Sequence, residues 1–151
     1  TRRYVEDNVG RGLAKEAYVE LVGIVVAVFS IDEFHRALGL PLEPLPEPLP
    51  VAISRYRPAH LREDIGFVPT VPPDGAIGLE ADLWKGSRAA NVIRALTLVP
   101  DALRDWRALA AAQYLSFAAM ANFVKDPDRA LDRMQMELVA GRVSAINECF
   151  Y

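Results

Sequence analysis

The distribution of proline constrains this chain most. Nine of its eleven prolines fall between Pro41 and Pro73, and five of those (Pro41, Pro44, Pro46, Pro48 and Pro50) lie within ten residues. Proline fixes φ and has no N–H, so neither a helix nor a central strand runs through such a segment. The spacing predicts an extended polyproline-like strip whose Leu42, Leu45 and Leu49 lie on a neighbouring surface. Pro58, Pro69, Pro72 and Pro73, with Gly66, Gly75 and Gly78, carry the irregular stretch to about Leu79. The expected role is a packed connector; a PxxP-like ligand for an adaptor domain is the alternative. Regular structure is thereby confined to the two flanks.

On the first flank, apolar residues recur at helical spacing from Leu13 to Leu38, through Ala17, Leu21, Ile24, Val25, Val28, Ile31 and Phe34. Val22, Val26 and Phe29 fill the other sides, so this helix is expected to be buried or sandwiched. The β-branched Ile24-Val25-Val26 suits a strand, but the 3.6 period continues on both sides and the segment is too long for one strand. Gly39 stops the helix and Pro41 follows. Residues 1 to 12, charged and carrying Gly10 and Gly12, read as a frayed end or short turn.

Beyond Gly86 helical signals return. Ala89 to Leu98 predicts a short amphipathic helix. Pro100-Asp101 opens a second one through Ala121, whose Ala108–Ala112 run permits close approach of another helix and nominates an intersubunit face. Asp126-Pro127 is an N-cap with proline at the first helical position, and a third helix runs toward Cys149. The fold class is all-α, without internal repeats.

With 151 residues, 52% of them hydrophobic, the chain holds one ordinary core. A net charge of -3 without a basic cluster excludes a nucleic-acid partner. One cysteine cannot form an intramolecular disulfide. The longest apolar run, Leu21 to Ile31, is too short for a bilayer and is closed by Glu20 and Asp32, so no membrane role is expected. Thr1-Arg2-Arg3-Tyr4 has no apolar signal and no methionine, which points to the cytoplasm and to a fragment or processed chain. His35 and His60 stand in unlike contexts, so no metal or cofactor is expected. Asp64, Asp74, Glu80 and Asp82 read as solvated loop acids. Trp84, Trp106 and Tyr114 read as packing residues.

The last stretch carries the chemistry. Cys149 is preceded by twelve residues, on the same predicted helix, by Glu137, which falls beside the apolar positions Met134, Leu138 and Ile146. An acid there is costly unless it has a partner. Asn147 and Glu148 suit the end of one helix and the beginning of another. Cys149 would then stand at a helix N-terminus, where the dipole and free N–H groups stabilise a thiolate.

Met136 to Tyr151 resembles the alkylhydroperoxidase D-like branch of the carboxymuconolactone decarboxylase-like family. In that branch a glutamate precedes a Cys-x-x-Cys by a dozen residues, and a histidine follows the second cysteine by four. Glu137 matches the glutamate, and the run from Arg142 to Tyr151 matches the approach to the first cysteine, Cys149. The 151 residues stop before the second cysteine and the histidine. More loosely, the resemblance extends over Asn91 to Trp106 and over residues 13–38. It implies three divisions: residues 1–40 closing a preceding helical unit, 41–87 a Pro/Gly-rich connector, and 88–151 the start of an alkylhydroperoxidase D-like helical bundle.

What the resemblance implies is an antioxidant peroxidase, with a hydroperoxide substrate, a dithiol or lipoyl-type donor and a homo-oligomer. Cys149 would be the resolving cysteine and the absent one the attacker, so the chain alone is expected to be inactive. A UGA codon for selenocysteine after Tyr151 is the sharper explanation of the chain end, and a fragment boundary the plainer one. Two alternatives are a lactone decarboxylase of the same superfamily and a non-catalytic helical interaction domain with a buried, inert cysteine. A continuous helix would hold Glu137 and Cys149 about 18 Å apart, so the relay requires the helix to break near Asn147.

Overall fold

The computed structural model describes residues 2–84, 89–120 and 129–149. Its helices are α1 (Arg2–Gly10), α2 (Lys15–Leu38), α3 (Asn91–Arg94), α4 (Pro100–Gln113), α5 (Phe117–Met120) and α6 (Arg133–Ile146). Among the described residues there is no strand, only an isolated antiparallel bridge between Arg62 and Thr70. The chain is all-α. It divides into two compact units, Thr1–Ser116 and Phe117–Tyr151. The sequence divisions at residues 40 and 87 follow composition and resemblance, whereas this division follows packing.

In the first unit the stop for α2 is where proline and glycine place it. Gly39 takes a left-handed φ of 68°; its N–H bonds to Arg36 O, and that of Leu40 to His35 O. This is a Schellman closure, and it satisfies carbonyls that would otherwise be orphaned. The interior is built from Val19, Val71, Leu83, Leu96, Leu98 and Leu103, with Trp84 and Trp106 packed against it. Each fully buried leucine among them contributes about 1.5–3 kcal/mol. Helices α2 and α4 approach closely where Gly23 faces Ala102: a Cβ at Gly23 would lie 3.0 Å from that of Ala102. Ser30 and Gln113 hydrogen-bond side chain to side chain and fasten the C-terminal end of α4 to the body of α2.

Five expectations need correction. Residues 2–10 form α1, with Val5 buried, because Gly10 and Gly12 fall at its end rather than inside it. The short helix expected over 89–98 is a single turn, α3, after which Thr97 turns the chain inward. Helix α4 ends at Gln113, where Tyr114 leaves helical dihedrals and Leu115 is buried. Its close approach to a neighbour within the chain is at Ala102 and not in the Ala108–Ala112 run, whose Ala108, Ala111 and Ala112 are exposed, as a face between subunits would be. Finally, α2 is not sandwiched. Helix α4 covers one side, and Leu21, Val25 and Phe29 remain exposed, as do Leu42, Leu45 and Leu49 of the proline strip. The Asp126-Pro127 cap lies outside the described residues.

Candidate functional site

The second unit holds both residues that the sequence singles out. Helix α6 begins at a full capping box: the Asp132 carboxylate accepts from the Gln135 N–H at 2.9 Å, and the Gln135 side chain accepts from the Asp132 N–H at 2.9 Å. Two orphan donors are satisfied at once, which fixes where the helix starts. One turn in, the Arg133 Nε donates to Glu137 Oε1 at 2.7 Å. Arg133 also donates to the Met120 carbonyl at 3.3 Å, tying the last turn of α5 to α6. Glu137 is therefore exposed and ion-paired along its own helix rather than set in a buried stripe. No side chain described on α6 is buried.

Helix α6 stops at Ile146, where the spacing of Glu137 and Cys149 requires a break. Glu148 takes φ 50°, the Glu148 N–H bonds to Ala145 O at 3.3 Å, and the Cys149 N–H bonds to Ser144 O at 2.9 Å. This is the Schellman closure seen at Gly39, with glutamate in the position that favours glycine. Cys149 is thus the second residue past the helix cap, Asn147, and its thiol is free and exposed. The helix N-terminus expected at Cys149 would include residues 150 and 151, which lie outside the described residues. Glu137 lies nine residues before the helix end, about 14 Å along the axis. The structure breaks the helix but does not bring Glu137 to Cys149. Cys149 is exposed rather than buried.

Of the four loop acids read as solvated, Asp64, Asp74 and Asp82 are exposed and Glu80 is buried, and all four are held by partners in the first unit. Arg104 grips Asp82 with two nitrogens, at 2.9 and 2.7 Å, and also reaches Asp101 at 2.7 Å and the Leu79 carbonyl at 2.6 Å. This fork holds the Asp82 carboxyl below the usual carboxylate range and raises the Arg104 guanidinium. Arg62 does the same for Asp74 across a 2.6 Å bond. Arg94, nearly buried, donates to Asp64 at 2.7 Å and to Thr70 at 2.8 Å. Glu80 is buried and accepts from the Tyr56 hydroxyl, which raises the Tyr56 phenol above its ordinary value. So the four acids are fasteners, each with a partner. The partners sit 12 to 30 residues away in sequence, except Asp101, whose i,i+3 spacing to Arg104 was readable.

An apolar cavity of about 270 Å³ lies between the first half of α2, residues 65–70 and α3, lined chiefly by Val19, Val22, Phe67 and Leu96, with Thr70 and Asn91 as polar groups. Nothing local in the sequence marks it. Among the described residues no cluster of three His, Cys, Asp or Glu is placed to hold a metal, and no helix is long and apolar enough to cross a membrane. Compared with known proteins, the chain matches no family model, no curated protein and no solved structure.

Proposed function

We propose that this chain carries the resolving half of a thiol peroxidase centre of the alkylhydroperoxidase D-like kind. The observation that carries the reading is the exposed thiol of Cys149, standing just past the helix break at Ile146–Asn147. A resolving cysteine has to meet a dithiol donor from outside, so it needs exposure and freedom from a continuous helix. The residues from Glu137 to Tyr151 support the reading by resemblance.

In the full cycle a partner thiolate attacks the hydroperoxide oxygen. The O–O bond breaks, the alcohol leaves with a proton, and the sulfur becomes a sulfenic acid. The Cys149 thiol then displaces water from that sulfur to form a disulfide. A dithiol or lipoyl-type donor reduces it by exchange. The attacking thiol is not among the 151 residues, so this chain alone does not turn over peroxide. The likeness also implies a homo-oligomer.

The test extends the chain by a single cysteine placed directly after Tyr151, the position that the Cys-x-x-Cys spacing assigns. Equimolar tert-butyl hydroperoxide should drive an internal disulfide with Cys149, and Cys149→Ser should leave a lone sulfenic acid trappable by dimedone. A pair that stays reduced under peroxide would overturn the reading.

A further inference from the structure

The apolar cavity between α2, residues 65–70 and α3 lies wholly in the first unit, so the thiol chemistry proposed for Cys149 does not use it. Val19 and Leu96, which line it, also belong to the core that holds this unit together. Part of the wall is therefore fixed by the fold rather than left to a loop. A cavity of about 150 Å³ with an apolar lining takes benzene. Scaled by its volume of about 270 Å³, this one takes a molecule of about eleven non-hydrogen atoms. That places it just under the pockets that hold drug-sized ligands and well above a single water site.

No charged side chain is among the described residues that line it. Charge gathers instead in a neighbouring hollow that shares only the 65–68 segment with the cavity. There Lys15 pairs with Glu63 at 3.0 Å, and the Arg2 guanidinium lies 5.4 Å over the Phe67 ring. Both cations are engaged, and Glu6 adds a further acid beside them. An anion in the cavity would give up its hydration with no opposite charge in the wall, which is costly. The lining therefore suits an uncharged occupant.

Polar atoms in the lining come from Tyr18, Thr70 and Asn91. Asn91 is exposed and Tyr18 half-buried, whereas Thr70 is 1% exposed. The Thr70 oxygen accepts from Arg94 Nη2 at 2.8 Å, and the same nitrogen donates to Asp64 at 2.7 Å. The arginine's charge is thus answered by Asp64, while its bond to Thr70 polarises the hydroxyl and strengthens it as a donor. The hydroxyl proton has no acceptor among the described residues. A buried donor in that condition is costly unless something in the cavity accepts from it. We infer that the cavity binds an uncharged molecule whose compact apolar body lies against Val19, Val22, Phe67 and Leu96 and whose one carbonyl-type oxygen accepts from the Thr70 hydroxyl. The inference does not rest on the peroxidase reading, and an inert Cys149 leaves it unchanged.

Methyl NMR titration of the 151-residue chain tests it, with α-tetralone as the probe. The ketone should shift the methyl signals of Val19, Val22 and Leu96 and saturate with a dissociation constant on the order of 0.1 mM. Tetralin, the same body without the oxygen, should bind roughly three- to tenfold more weakly, the factor that one neutral hydrogen bond supplies. Naphthoate, similar in shape but charged, should bind more weakly than the ketone by roughly tenfold or more. Thr70→Val should lower the ketone to the affinity of tetralin, and Thr70→Ser should restore the difference. Val22→Phe fills the cavity and should abolish the shifts at Val19 and Leu96 with every probe; shifts that persist there overturn the cavity as the site. The absence of saturable shifts in the parent overturns the inference and means that the cavity holds water only. Equal affinities for ketone and tetralin in the parent overturn it whether or not the Thr70 variants fold, and naphthoate binding as tightly as the ketone overturns the uncharged class.

Discussion

Thr97 offers the sharpest test of how the first unit is held. It is fully buried at the turn after α3, where its Oγ1 accepts the Val71 N–H at 2.8 Å and donates to the Arg94 carbonyl at 2.7 Å. Thr97→Val keeps the shape and removes both bonds. The Arg94 carbonyl still accepts the N–H of residue 97 at 3.0 Å, but the Val71 N–H is left buried without that acceptor. A buried unsatisfied donor costs about 1–3 kcal/mol, and the added methyl returns about 0.8 kcal/mol at most. The net expectation is a loss of about 0.2–2.2 kcal/mol, centred on about 1.2 kcal/mol. Thr97→Ser keeps both bonds and loses one buried methyl, about 0.5–1 kcal/mol. The order of stability should therefore be parent, then Ser, then Val. Urea unfolding read by tryptophan fluorescence reports on this unit alone, because the two tryptophans, Trp84 and Trp106, both flank its core. With a slope of about 1–3 kcal/mol/M, the valine variant should shift the midpoint by roughly 1 M. A valine variant more stable than the serine variant would mean that Thr97 acts by packing, and the hydrogen-bond reasoning would be wrong.

Other substitutions separate steric from conformational effects. Gly23→Leu forces α2 off Ala102 and should cost about 1–3 kcal/mol, whereas Gly141→Ala, with open space around it, should gain about 1 kcal/mol of helix propensity; equal effects in thermal melts would refute the close approach. Glu148→Gly relieves the left-handed backbone at the end of α6 and should stabilise the second unit by about 1 kcal/mol; a loss of helicity by circular dichroism would count against the Schellman closure. Asp82 titrates below its ordinary 3.8 because of Arg104. Its contribution is therefore fully present above that pH and is lost as pH falls through the lowered folded-state value. Asp82→Asn should flatten the acid limb of the stability curve, and an unchanged limb would remove Asp82 from the account.

The sequence was most legible where backbone chemistry is local. Gly39 and the prolines located the end of α2, the 3.6 period placed its body, and Pro100 marked the start of α4. The α6 break near Asn147 was expected only from the relay that the resemblance implies; the helix does end there, but Glu137 and Cys149 stay apart, and its means, a glutamate in a left-handed turn, carries no composition signal. What stayed illegible depends on contacts between distant residues. The burial of Glu80 under Tyr56 and the Arg104–Asp82 fork join loops to helices across more than twenty residues. Periodicity also overstated the burial of α2: it reports that a helix is apolar all round, not whether one chain supplies enough neighbours to cover it. Glu137 misled in a related way. Its place beside Leu138 on the helix implied burial, but Glu137 is exposed and ion-paired with the largely covered Arg133.

The most direct test of the central claim is mass spectrometry of the chain extended by one cysteine after Tyr151, treated with one equivalent of hydroperoxide. The account predicts loss of two hydrogen atoms, a disulfide mapped to Cys149 and reopening by a dithiol. Intact thiols after peroxide, or oxidation of the added cysteine to a sulfinic acid with Cys149 still reduced, would contradict it.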